Sequence, residues 1–172
     1  MKPFWNVLII FMVGVILGTL LVEKLYNAPG TAPGTTQPYI PPPPPKARIE
    51  SIDIGNNYRA GDTADARLTF RNIGNVSITQ ERVVVRATAT SLDDFAANLY
   101  LKTLSEERRS RTSNFDFDIT VEPGSTGMLT ASIKTVSQME GRSLAGKYSV
   151  SVTLYANGKR EDSQTVSLRL AK

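Results

Sequence analysis

Two rhythms of hydrophobic and polar positions divide the chain. Phe4 to Val22 (FWNVLIIFMVGVILGTLLV) runs for nineteen positions without a charge, interrupted in polarity only by Asn6 and Thr19. At a rise of ~1.5 Å per residue, a helix of that length spans about 28 Å, close to the hydrocarbon thickness of a bilayer. From Ala47 onward the period falls to two. Ala64, Ala66, Leu68 and Phe70 alternate with Asp65, Arg67, Thr69 and Arg71, which predicts a strand with one buried and one wet face. Phe115 to Val121, Tyr148 to Leu154 and Val166 to Leu170 repeat the pattern. Less regular strands are expected at Ala47 to Ile54, at Ile78 to Thr90 with Val83 and Val85 inward, and at Gly127 to Lys134.

Seven short strands separated by turn signals predict an all-β, Ig-like antiparallel sandwich. Asn157-Gly158 is the expected type I′ hairpin turn between the last two strands, and Glu122-Pro123-Gly124-Ser125 a proline-initiated turn. Ser91 to Thr112 breaks the alternation. Ser91 with Asp93 and Asp94 resembles a helix cap and acidic first turn, and Leu92, Phe95, Ala96 and Leu99 have helical spacing. A partly helical insertion between the third and fourth strands, lying across an edge or end of the sandwich, is expected there.

The apolar run predicts a single transmembrane α-helix in an uncleaved signal anchor, residues 1–26. Trp5 and Tyr26 bracket it as interfacial rings, and Lys2 precedes it while Glu23 and Lys24 cancel after it. That charge bias favours a cytoplasmic N-terminus and an extracytoplasmic C-terminal domain in a single-pass cell-membrane protein. The rival reading, a cleaved secretory signal, needs a small-x-small cleavage site, and none follows closely. Gly14 and Gly18 form one G-x-x-x-G, the candidate face for helix pairing and hence for a homo-oligomer. Residues 27–45 hold eight of the ten prolines and predict an extended, solvated linker. At ~3.1 Å per residue it reaches at most about 60 Å and holds residues 46–172 off the bilayer.

Composition narrows the chemistry. The 172 residues include no His and no Cys, which removes the commonest general base, the thiol nucleophile and the principal zinc ligands. No cofactor, catalytic or metal site is expected, and the chain is read as a non-enzyme. Asp116 and Asp118, two apart on one strand face, with Glu122 nearby, would suit Ca²⁺ only as a loose carboxylate set. Net charge is +4, and setting aside Lys2, Lys24 and Glu23 leaves 18 basic and 15 acidic residues spread along the domain. An excess so dispersed does not make a nucleic-acid footprint. The densest basic group is Arg108, Arg109 and Arg111, with Lys102 nearby and Glu106-Glu107 interposed. Asn75-Val76-Ser77 is the one glycosylation sequon, which makes Asn75 the candidate acceptor.

GDTADARLTFRNIGN at Gly61 to Asn75 and LAGKYSVSVTLYANGK at Leu144 to Lys159 resemble the second-strand and last-hairpin motifs of prokaryotic, notably archaeal, Ig-like adhesion modules of the CARDB or NEW3 type. In that resemblance Asn72-Ile73-Gly74-Asn75 closes the second strand, and Ala145-Gly146-Lys147-Tyr148 opens the penultimate one with Tyr148 as a tyrosine corner. The motifs imply a fold and a binding or spacing role, with no catalytic residue. In layout alone, an anchor followed by such a domain also resembles membrane-tethered accessory subunits of archaeal motility and surface-layer systems.

The expected function is protein–protein interaction, or service as a non-catalytic subunit of an envelope complex. The alternative is a carbohydrate or surface-polymer binding module on a stalk. The expected partners are the lipid bilayer, through residues 4–22, and another envelope or membrane protein. Phe95, Leu99, Tyr100, Arg108, Arg109 and Arg111 are the candidate contact residues, because apolar anchors beside arginine forks suit an anchor-and-rim contact.

Overall fold

A computed structural model describes residues 46–172 except 56. The anticipated anchor, linker and Gly14/Gly18 pairing face lie outside the described residues, and among the described residues no helix is long and apolar enough to cross a membrane.

The strands run β1 (Ala47–Ile54), β2 (Tyr58–Arg59), β3 (Thr63–Asn72) and β4 (Glu81–Leu92). Helix α1 (Phe95–Leu101) and a 3₁₀ turn (Glu107–Arg109) follow. Then come β5 (Ser110–Phe117), β6 (Thr126–Lys134), β7 (Gln138–Met139), β8 (Arg142–Ser143), β9 (Gly146–Ala156) and β10 (Lys159–Ala171). One sheet has the order β1-β3-β6, the other β2-β10-β9-β4-β5, and β7-β8 is a separate hairpin. The Ig-like sandwich expected from the alternation is therefore present, with three small strands added.

The alternating residues dictate the layers. Leu68 and Phe70 of β3 face Val83 and Val85 of β4 and Val150, Val152 and Leu154 of β9 across one shared core. Cross-strand pairs Leu68↔Leu129 and Val85↔Val152 put like with like on the inward faces. Phe70 is fully buried, and an added Cβ at Gly127 opposite it would lie 2.6 Å from the ring's Cζ, so the glycine makes room for the phenyl ring. On one side of the sandwich β10 satisfies the free edge of β1 with side chains. Asp162 Oδ2 accepts from the Ile49 N–H at 2.8 Å, and Gln164 Nε2 donates to the Ile49 carbonyl at 2.9 Å, beside bulges in both strands.

Both turn expectations hold. Asn157 and Gly158 have φ of +47° and +79°, as a type I′ turn requires, and the Ser125 N–H closes on the Glu122 carbonyl at 3.0 Å. Two boundaries differ. Ile78 stands apart from β4 as an isolated bridge to Val121, because residues 79–80 are diverted to the Asn157 side chain, which accepts from the Thr79 and Gln80 N–H groups. The strand expected at Phe115 to Val121 begins earlier, at Ser110, and its ladder ends at Phe117, although alternating burial continues to Val121.

The register sorts the connections to two ends of the sandwich. Lys46, the 73–80 segment, the Pro123 turn and the Asn157-Gly158 turn lie at one end. The 55–62 segment, α1, the β7-β8 hairpin and the C-terminus lie at the other. About ten residues of strand, ~30 Å, separate them.

Candidate functional site: the helix-bearing end

Chain geometry beyond Leu92 builds the site. Asp94, with extended backbone, caps α1 by accepting from the Ala97 N–H at 2.9 Å. The expectation that Ser91 begins the cap is corrected: Ser91 remains in β4, paired with Lys147, and the acidic Asp94 takes the cap. Asn98 Oδ1 accepts from the Leu92 N–H at 3.0 Å, tying the helix back to the strand that feeds it. The Asp93 N–H donates to the Ala145 carbonyl at 2.9 Å. Gly146 passes so close that a Cβ there would sit 2.2 Å from the Ser91 carbonyl oxygen.

Helical spacing does not bury the residues it singled out. Only Leu101 of α1 is buried, whereas Phe95, Leu99 and Tyr100 are 83%, 59% and 63% exposed. The physical reason is length: seven residues make two turns, and the Asn98 and Asp94 tethers leave room for one inward anchor. The outward apolar residues are thus not part of the sandwich core.

The basic cluster follows α1 in the chain. Arg108 and Arg109 occupy the 3₁₀ turn and Arg111 the start of β5, at an edge of the five-stranded sheet. Glu106 meets Arg86 at 3.4 Å, so Arg108 and Arg111 have no ion pair among the described residues. The interposed acidic residues therefore do not cancel the cluster.

A second exposed group at this end is absent from the sequence-based candidates. Val136 is exposed, as is Met139 next to the tip of the β7-β8 hairpin. The signal is short: Glu140-Gly141, φ +51° and +75°, is a two-residue turn flanked by strands of two residues each. Arg142 of the hairpin reaches Asp94 at 3.5 Å, and Arg169 reaches Asp93 at 3.2 Å, locking hairpin, helix cap and β10 together. The Ala97 N–H holds the Asp94 carboxyl below the usual carboxylate range, partial desolvation opposes it, and Arg142 adds to the lowering.

Elsewhere the candidates are separate. Asp116 is taken by Arg82 at 2.6 Å, and Glu122 accepts from Ser77 Oγ at 2.6 Å. Among the described residues no three such side chains are grouped to hold a metal ion. Asn75 is exposed in the bend after β3. Tyr148 behaves as the resemblance implies, its hydroxyl donating to the Leu144 carbonyl at 2.5 Å.

Because the Asp94 carboxyl is held acidic, its contribution to the helix is present above its unfolded value of 3.8 and is lost as pH falls through the lower folded value. Asp94→Ala should therefore raise amide hydrogen exchange across Phe95–Leu101 at neutral pH while β9 stays protected. Equal exchange in both proteins would show that α1 does not depend on its cap.

The sequence matches no protein-family model and no curated protein. Among solved structures, the C-terminal domain of wzt is 11% identical with a TM-score of 0.50, covering 73% of this chain and 74% of that one. A CARDB domain from Pyrococcus furiosus, solved in complex with di-metal ions, is 12% identical with a TM-score of 0.45, covering 74% and 94%. A Thermotoga neapolitana beta-glucosidase, solved with alpha-D-glucose, is 14% identical with a TM-score of 0.48 over 74% of this chain and 16% of its own. Identities this low speak to fold alone, and the described residues share an Ig-like β-sandwich architecture with the wzt domain.

Proposed function

We propose that the chain is a membrane-anchored, extracytoplasmic Ig-like protein that binds another envelope or membrane protein, or serves as a non-catalytic subunit of an envelope complex, through the α1 end of its sandwich. The observation that carries this reading is the exposure of Phe95, Leu99 and Tyr100 on one short helix, with Arg108 and Arg111 exposed in the turn and strand that follow it. A soluble domain loses by exposing a phenyl ring, a leucine and a tyrosine together unless something covers them. Aromatic anchors with arginine at the rim are the composition of a protein contact. Lys46, the first described residue, lies at the end of the sandwich opposite α1.

The carbohydrate alternative is less well supported. A sugar platform needs stacked aromatic rings, and Tyr155 is the one aromatic residue on the outward face of the five-stranded sheet. Co-purification from solubilised membranes tests the two readings together. Replacing Arg108, Arg109 and Arg111 with Ser should reduce recovery of the partner and flatten its salt dependence, while the unfolding temperature stays within about 2 °C, since Arg108 and Arg111 are exposed and the half-buried Arg109 has no ion pair among the described residues to lose. A surface polymer in place of a protein would favour the alternative. Unchanged recovery in the triple variant would place the contact elsewhere.

A further inference from the structure

The two sides of the sandwich treat their sheet edges differently. On one side β1 and β10 are stitched by Asp162 and Gln164, both strands carry a bulge, and β2 pairs with the last residues of β10. Bulges and plugged edges of this kind keep a sheet from taking a further strand. On the other side β5 and β6 end their sheets with no strand beyond them among the described residues. Neither contains a proline or a bulge, and each pairs with its one neighbour in unbroken register.

Of the two open edges, β6 bears a charge only at its last residue, Lys134, whereas β5 has two ends of different charge. Asp116, at the end nearer Lys46, is taken by Arg82. At the α1 end, Arg108, Arg109 and Arg111 have no ion pair among the described residues, and Arg109 Nε is buried without a partner. Only the unpaired carboxylate of Glu107 stands against those three guanidiniums. Along the core-side face of β5, Arg111 is exposed, while Phe115 and Phe117 are half-buried at the rim of the core. In an edge strand every other residue turns its N–H and C=O away from the sheet, where an extended segment can take them up. A strand added there brings apolar side chains against Phe115 and Phe117 and an acidic one against Arg111. A second copy of β5 fits less well: antiparallel pairing about Ser113 or Asn114 sets Arg111 opposite Phe115 or Phe117 and gives its charge no partner.

We propose that β5 takes up an extended, acidic-ended segment of a bound protein as an added strand of its sheet, with carboxylate at the α1 end meeting Arg108 and Arg111. The inference rests on reading those arginines as partner contacts and adds how the partner is held. Main-chain hydrogen bonds supply the grip, and the arginines select the acidic end.

The test titrates the full chain in detergent micelles with the peptide acetyl-Glu-Thr-Val-Thr-Val-Thr-Glu-amide and reads the backbone amide shifts of Arg111 to Asp116. Two further versions carry N-methyl groups, one on its Glu and Val residues and the other on its Thr residues. Both keep the charges, and each removes the N–H groups along one edge of the extended peptide. The expected result is saturable shifts with the parent peptide, retained with one methylated version and weakened about tenfold or more with the other, as loss of main-chain pairing requires. Arg108→Ser with Arg111→Ser, both exposed, should weaken the parent about threefold, the scale of exposed ion pairs. Equal binding or equal loss of the two methylated versions overturns the proposal, as does an unaffected double variant or the absence of saturable shifts with the parent. Shifts of the same amides that grow with protein concentration before peptide is added overturn it in favour of a second copy. The α1 contact fails separately, through unchanged partner recovery in the triple arginine variant, because the methylation pattern is read without that partner.

Discussion

Phe70→Ala is expected to cost about 3–5 kcal/mol, a large share of the ~5–15 kcal/mol that holds a domain of this size together. Phe70 is fully buried on the central strand of the three-stranded sheet, so its ring fills the space between the two sheets. Gly127 lies directly opposite in the register, and the ring's Cζ and Cε1 stand 2.6 and 2.7 Å from where its Cβ would be. Gly127→Ala alone should therefore destabilise by about 1–3 kcal/mol through overpacking. The pair should not add. Phe70→Leu shortens the side chain, and Gly127→Ala returns part of the lost volume, so the double variant should be more stable than the sum of the two single losses predicts. Urea unfolding of all four proteins measures the coupling, and strict additivity would show that ring and glycine do not share one space.

The parts legible in the sequence are those governed by local rules. Ala64 to Phe70 reads as a strand because alternation and burial are the same fact, and Asn157-Gly158 reads as a turn because both positions need positive φ. Turn chemistry and period two therefore carried the sandwich. The helix shows the limit of that logic. Apolar spacing at Phe95 and Leu99 indicated helix correctly, yet the usual inference that an apolar stripe faces the core fails when the helix is seven residues long and tethered at its start. The outward residues are contact candidates on chemical grounds and are exposed, but Val136 lies in the loop before β7 and Met139 in a strand too short to leave a period. Glu81 was invisible for a different reason. It occupies the first position of a strand, where a charged residue ordinarily reads as a solvated end, and its burial comes from the Ile119 segment, 38 residues away.

The α1 end and the buried Glu81 sit at opposite ends of the sandwich, which makes them separable. Substitutions at Leu99 or Tyr100 change exposed groups and should leave the surroundings of Glu81 intact, whereas Glu81→Gln changes a buried group. In linkage terms, a carboxyl raised by folding favours the folded state less as pH climbs from its unfolded value of 4.5 toward the folded one. The neutral glutamine lacks that loss, so Glu81→Gln should unfold at the same or higher temperature at neutral pH. A lower unfolding temperature would mean that the carboxylate is stabilising as it stands.

Asn72→Leu is expected to cost about 2–4 kcal/mol, although it replaces a polar group by an apolar one of similar size in a fully buried position. The side chain is a hub for the end where the linker joins. Its Nδ2 donates to the Val121 carbonyl at 2.8 Å and to the Val76 carbonyl at 2.9 Å, and its Oδ1 accepts from the Gly74 N–H at 3.0 Å. Its own backbone accepts from Gly124 and donates to the Ser125 carbonyl, so the amide joins the 73–78 bend to the Pro123 turn. Leucine fills the volume and takes the Asn72 partner from the Val76 carbonyl and the Gly74 N–H, while the Val121 carbonyl keeps only the Ile78 N–H, which is the costly arm of the hydrogen-bond asymmetry. Asn72→Asp separates that explanation from one of shape. A carboxylate keeps the bond from Gly74 but presents a second acceptor to two carbonyl oxygens, so at neutral pH it should be at least as damaging as leucine. As pH falls the carboxyl takes up a proton, one donor returns, and the gap to wild type should narrow. Thermal unfolding of the three proteins across an acid series reads this directly. An Asn72→Asp variant whose deficit does not shrink at low pH would show that the donors to Val76 and Val121 are not what Asn72 contributes.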